Sequence, residues 1–73
     1  MKTPDENQLL AERSLFKLKA AVVQNDPAEC IQAMDMLEED DEFLWEDVDW
    51  TTYEEWDEIA TEAADIILEH QNK

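Results

Sequence analysis

The sequence predicts an all-α protein, a small bundle of three longer helices plus a short helical segment with no sheet, and three observations lead there. Glycine is absent and proline occurs only twice, which removes the usual chemistry of tight hairpin turns and strand connections. Apolar residues recur at three- and four-residue spacing along most of the chain, the period of a helix with one covered face. Helix-start signatures precede these periodic segments. At 73 residues there is room for one domain, spanning 1–73, and a chain of this size buries only about 60% of the surface its unfolded form exposes. A hydrophobic content of 44% with three Trp still argues for a folded chain rather than a disordered acidic one, despite a formal net charge of -16.

Thr3-Pro4-Asp5-Glu6 is a helix start, with Thr3 as cap, Pro4 at the first helical position and Glu6 where a capping-box carboxylate sits. The first helix is expected over 4–24. It carries two apolar stripes on nearly opposite sides: Leu9, Phe16, Ala20 and Val23 on one, Ala11, Leu15, Leu18 and Val22 on the other. Two readings follow. Either the first helix is central and flanked on both sides by the others, or the second stripe makes a homodimer contact.

Asp26-Pro27-Ala28-Glu29 repeats the start logic and opens a helix over 27–38, with Cys30, Ile31, Met34 and Leu37 on its inner face. The run Glu38-Glu39-Asp40-Asp41-Glu42 ends it, because carboxylates are unfavourable at a helix C-terminus. The same acids suit the start of a new helix, so a short segment over 41–48 is expected, capped by Asp40 or Asp41 and carrying Phe43, Leu44, Trp45 and Val48. Thr51 with Glu54, or Thr52 with Glu55, offers a capping box for the last helix over 52–69. Trp56, Ile59, Ala60, Ala63, Ile66 and Ile67 line its inner face, with Tyr53 at the edge; Glu54, Glu58, Glu62, Asp65 and Glu69 line the outer one.

The charge is unevenly placed. Lys2, Arg13, Lys17 and Lys19 lie in the first 19 positions and Lys73 is the last residue; from Ala20 to Asn72 there are 18 Asp and Glu and no Lys or Arg. An ordinary soluble surface mixes both signs, so a single-sign field of this density carries a stability cost that solubility alone does not explain. Over 52–69 the acids fall about one per 4 Å of helix axis, close to the phosphate spacing of about 3.4 Å along one DNA strand. Glu38, Glu39, Asp40, Asp41, Glu42, Glu46, Asp47 and Asp49 would supply a second row if their segment lay alongside. Trp45 and Trp50, set among these acids, are either anchors for a basic interface or aromatics half-buried at a bundle end.

Other chemistries are set aside. A single cysteine excludes an intrachain disulfide and a cysteine zinc cage, and points to an intracellular, cytoplasmic setting. Cys30 is read as a packed residue and His70 as an exposed end residue, Met34 and Met36 as packing. The stretch 38–49 has oxygen ligands but no Gly for a calcium loop, so no metal or cofactor is expected. Acids are abundant without any pair being singled out, and no catalytic residue is assigned: the protein is not expected to be an enzyme. Neither an export leader nor a membrane span is expected, and direct binding to nucleic acid or to an anionic membrane is electrostatically unfavourable.

These residues point to a basic partner. The leading expectation is an inhibitor that binds a DNA- or RNA-binding protein and occludes its nucleic-acid site by imitating the phosphate backbone, through Glu38–Glu42, Glu46, Asp47, Asp49, Glu54, Glu58, Glu62, Asp65 and Glu69 with Trp45 and Trp50. In composition and size, and through no specific motif, the chain resembles the acidic DNA-mimic inhibitors that phages use against restriction, CRISPR or nucleoid proteins. That resemblance implies a phage or mobile-element product acting in the host-cell cytoplasm. The alternative is an antitoxin, immunity protein or regulatory subunit that neutralises one basic enzyme through charge and Trp anchors without mimicry; an acidic chaperone for a basic protein is a third reading.

Overall fold

Local capping chemistry places the first two helices. A computed structural model describes residues 2–72, and in it α1 spans Pro4–Gln24, α2 Pro27–Glu38 and α3 Trp50–Gln71, with a 3-10 turn over Trp45–Asp47. No strand occurs among the described residues. The Glu6 backbone N–H donates to the Thr3 hydroxyl oxygen at 3.2 Å, and the Glu29 N–H to Asp26 Oδ1 at 3.2 Å, so both predicted caps form. Between the two helices Asn25 adopts the left-handed conformation (φ 55°), its N–H bonding to Val22 O while the Asp26 N–H reaches back to Ala21 O. This is a Schellman closure, and in a chain without glycine it falls to asparagine, the residue that next best tolerates positive φ.

Two expectations are corrected. The helix expected over 41–48 reduces to the turn over Trp45–Asp47, preceded by turns from Glu39 onward. Asp40 is the reason: its Oδ1 accepts the Glu42 N–H at 3.0 Å and its carbonyl the Phe43 N–H at 3.1 Å, a local turn that competes with helix initiation. The last helix begins at Trp50, with Asp49 at the cap position and no side-chain cap bond, and runs on to Gln71. Neither Thr51 nor Thr52 caps it. Gln8 of α1 holds the start instead, its Oε1 accepting the Asp49 N–H at 2.7 Å and its Nε2 donating to Thr52 Oγ1 at 3.0 Å.

The helices run up, down and up. Lys2 pairs with Asp40, bringing the start of α1 to the end of α2, while Gln8–Thr52 and Ser14–Trp56 set α1 and α3 side by side in parallel. Small residues dominate the seam: Ala11, Ser14, Ala21, Cys30, Ala33 and Ala63 are buried, with Leu18 the large apolar side chain that is fully buried and Leu15 and Leu37 buried as well. Ile59, Ala60, Ile66, Ile67, Met34 and Trp56 pack partly buried against that seam. At its centre the Ser14 hydroxyl donates to the Ala33 carbonyl at 2.6 Å and accepts the Trp56 indole N–H at 3.0 Å, one side chain joining all three helices.

Only one stripe of α1 is covered. Ala11, Leu15 and Leu18 are buried and Val22 half-buried, so the second stripe is packed within the chain as core. The first faces solvent, with Phe16 77% and Val23 86% exposed, so α1 is not flanked on both sides. The reason lies in α2 and α3, which both dock on the face where Ala and Ser let backbones approach, leaving the opposite side without a neighbour. Ile31, expected inward, is also exposed, because Cys30, Ala33 and Leu37 define a narrower inner face that excludes it.

Removing the central hydroxyl by Ser14→Ala leaves the Trp56 N–H without its partner. Chemical denaturation is expected to show a loss of about 1–3 kcal/mol, with an unchanged denaturant slope. Because 21 Asp and Glu face only five Lys and Arg, a formal net charge of -16, the Tm is expected to rise as ionic strength increases from about 0.01 to 0.15 M and the screening length shrinks from about 30 to 8 Å; a flat response would contradict the self-repulsion.

Candidate protein-binding surface

All seven carboxylates of α3 face solvent: Glu54, Glu55, Asp57, Glu58, Glu62, Asp65 and Glu69 are each exposed. Their placement follows from the inner face, since burying Trp56, Ile59, Ala63 and Ile66 at helical spacing turns the intervening acids outward. The helix is about 33 Å long at 1.5 Å per residue. Glu55 is drawn to one side by an ion pair with Lys19, and the others continue along the outer face.

The acids of the α2–α3 connection take a different position from a second row. Asp40 pairs with Lys2, Asp47 Oδ2 accepts the Asn7 amide at 2.6 Å, and the Asp49 backbone bonds Gln8. These anchors gather the segment across the end of the bundle where α1 and α3 begin. Glu38, Glu39, Asp41, Glu42, Glu46 and Asp49 are exposed there, Asp40 and Asp47 half-buried. The acidic surface is therefore a cap at one end continued by a single row down α3.

Aromatic residues sit where cap and row meet. Trp45 is half-buried in an edge-to-face cluster, its ring centroid 5.0 Å from Phe43, 5.2 Å from Tyr53 and 5.1 Å from Trp56. Packing of this kind contributes to stability beyond area alone, and it fixes the connection against α3. Trp50 differs: it is 70% exposed and stacks flat on Tyr53 at 5.4 Å with an interplanar angle of 6°. A shallow depression of about 320 Å³ is lined by Trp50, Tyr53, Glu54, Asp57 and Glu58. Its π-faces and carboxylates suit a cationic side chain, above all a guanidinium, which stacks on rings and pairs with carboxylates.

Asn7 and Gln8 are the positioning residues that sequence reasoning missed. Asn7 is fully buried, an unusual place for an amide on a helix, and together with Gln8 it clamps the segment bearing the acids and Trp50. Their polarity, falling on the inward side of the first turns, was the available signal. Among the described residues no group of three or more His, Cys, Asp or Glu side chains is placed to hold a metal ion, and none of the described helices is long and apolar enough to cross a membrane. Cys30 is buried, and burial foremost, with Asp26 nearby, pushes its thiol above the usual range. In comparisons with known proteins no family model matches the chain, and no curated protein or solved structure matches it.

The raised Cys30 pKa means that the fold favours the protonated thiol. Its contribution is complete below the unfolded thiol's pKa and is lost as pH rises through and above it. Denaturation midpoints are expected to fall on the alkaline side of pH 9, less so in Cys30→Ala, and a thiol reagent at pH 8 is expected to label Cys30 rapidly only after denaturant is added.

Proposed function

We propose that the protein is an acidic inhibitor that binds a basic nucleic-acid-binding protein and occludes its DNA or RNA site by presenting carboxylates where phosphates would lie. The observation that carries this reading is the row of α3 carboxylates, all exposed on a rigid helix from which Lys and Arg are absent. Phosphates repeat about every 3.4 Å along a strand, and the six acids left in the row from Glu54 to Glu69, over about 23 Å of helix axis, match that density to within about a factor of 1.5. A basic groove selected to receive a phosphodiester strand meets a comparable linear charge, already fixed in place by the Ser14 seam and the Asn7–Gln8 clamp. The role is binding rather than catalysis, and action in the host-cell cytoplasm as a phage or mobile-element product belongs to the same reading.

A second reading is favoured by one observation, the exposed Trp50 stacked on Tyr53 beside Glu54, Asp57 and Glu58. In it the protein neutralises one basic enzyme by seating an Arg of that enzyme on the Trp50 face, without imitating nucleic acid. Central aromatic anchors carry much of the energy of ordinary protein interfaces, whereas a charge array spreads it.

Substitution separates the two. Under mimicry, Glu54→Gln, Glu58→Gln, Glu62→Gln and Asp65→Asn together are expected to abolish capture of the partner from a host lysate, while Trp50→Ala weakens it only about threefold, less than the effect of losing a principal anchor. The captured partner is expected to bind nucleic acid and to be displaced by duplex DNA or by RNA, with affinity falling steeply between low and physiological salt. A partner insensitive to either competitor, or lost on Trp50→Ala alone, would overturn the mimicry reading in favour of the second.

A further inference from the structure

The depression at the start of α3 has a narrower chemistry than the acidic surface around it. We propose that it is a preformed receptor for one arginine side chain of a partner protein, selective over lysine, with the guanidinium flat on the open face of Trp50 and its edge N–H groups donating to the carboxylates of Glu54, Asp57 and Glu58. This deepens the second reading of function, on which it rests for the partner being a basic enzyme. Trp50, Glu54 and Glu58 follow one another at four-residue spacing along α3, and Tyr53 and Asp57 form the adjacent ridge. Helical side chains lean toward the N-terminus, so the acids of each ridge point back toward the ring that precedes them. Tyr53 covers one face of Trp50, at 5.4 Å and 6°; with Trp50 70% exposed, its other face is open. Gln8 fixes the backbone on both sides of that ring, through the Asp49 N–H at 2.7 Å and the Thr52 hydroxyl at 3.0 Å. Little ordering is left for a ligand to impose.

Charge and shape together select the occupant. Lys2, Lys17 and Lys19 are engaged with Asp40, Glu29 and Glu55, and Glu54, Asp57 and Glu58 have no cationic partner among the described residues. Three carboxylates outweigh the roughly half positive charge of a helix start, so the site repels phosphates and carboxylates and attracts a cation. Among the described residues no group of three or more His, Cys, Asp or Glu is placed to hold a metal ion, which leaves an organic cation. At about 320 Å³ the depression stands at the low end of the roughly 300–1,000 Å³ of small-ligand sites, room for one side chain and not for a helix. A guanidinium is planar, weakly hydrated and forked, so it stacks on an indole and pairs with carboxylates at its edge at the same time. An ammonium is a compact, strongly hydrated point charge, drawn to the acids but without a flat face to lay on the ring.

Titration of the full chain with N-acetyl-arginine methylamide, followed through the indole N–H resonances at an ionic strength of about 0.15 M, tests the assignment. The Trp50 resonance is expected to shift saturably with a Kd of about 1–10 mM, while those of Trp45 and Trp56 move little. The lysine analogue is expected to bind about fivefold more weakly and the uncharged citrulline analogue not at all, and Trp50→Leu is expected to weaken arginine binding about fivefold. Glu54→Gln with Glu58→Gln is expected to abolish saturation. Asp65→Asn with Glu69→Gln removes the same charge at least about 10 Å further along the axis, beyond the screening length of about 8 Å, and is expected to leave binding unchanged. Equal binding of arginine and lysine, equal shifts at all three indoles, or equal loss in both acidic double variants would reduce the site to general acidity and overturn the proposal. If the arginine analogue binds at Trp50 while capture of the basic enzyme survives Trp50→Ala, the receptor stands and the second reading fails. If capture is lost on Trp50→Ala but the analogue leaves the Trp50 resonance unmoved, that reading stands and the arginine assignment is overturned.

Discussion

Close approach of three helices along a seam of small side chains is the constraint on which the rest of this protein depends. With Ala11, Ser14, Ala21, Cys30, Ala33 and Ala63 at the contact, the backbones come near enough for the Ser14 hydroxyl to bridge the Ala33 carbonyl of α2 and the Trp56 indole of α3. Leu15, Leu18 and Leu37 are the large apolar side chains buried inside, and the others lie at the margins, where Ile59, Ile66 and Ile67 are half-buried. A chain of 73 residues with net charge -16 has little hydrophobic area with which to oppose its own electrostatic repulsion. Dense packing and a satisfied polar node make that limited area effective.

The scarce cations are placed with economy. Lys2–Asp40, Lys17–Glu29 and Lys19–Glu55 each tie α1 or its leading segment to another part of the bundle. Exposed pairs of this sort are individually weak, yet they also relieve repulsion at the junctions where the acidic segments converge on α1. Outside α1 the acids lie on elements that carry no Lys or Arg of their own, and in the proposed reading that excess is what a basic partner would neutralise. Charge and shape are thus divided within one small molecule: α1 is neutral and holds the bundle together, while the end cap and α3 are anionic and face outward.

The aromatic residues show how the connection between α2 and α3 turns a charge pattern into a surface. Phe43 and Trp45 fold onto Tyr53 and Trp56, and Asn7 and Gln8 reach across from α1 to hold Asp47, Asp49 and Thr52. With the connection held across the bundle end, Trp50 is left at the first position of α3 with a ring exposed over Tyr53, next to Glu54, Asp57 and Glu58. The same contacts that bury Trp45 expose Trp50.

Much of this was legible in the residue order because its causes are local. Thr3-Pro4 and Asp26-Pro27 set the starts of α1 and α2 within a few residues, so both helices occupy the predicted ranges, and the outward row on α3 follows from helical period alone. Where α3 begins was not legible, since Gln8, more than forty positions away, takes the Thr52 hydroxyl and the Asp49 amide that a local cap would have used. Nor was the fate of the two α1 stripes or of Trp45 and Trp50. Periodicity marks a face as apolar without saying whether a neighbour arrives to cover it, and that depends on how closely backbones can approach, a property of small residues brought together from three separate helices.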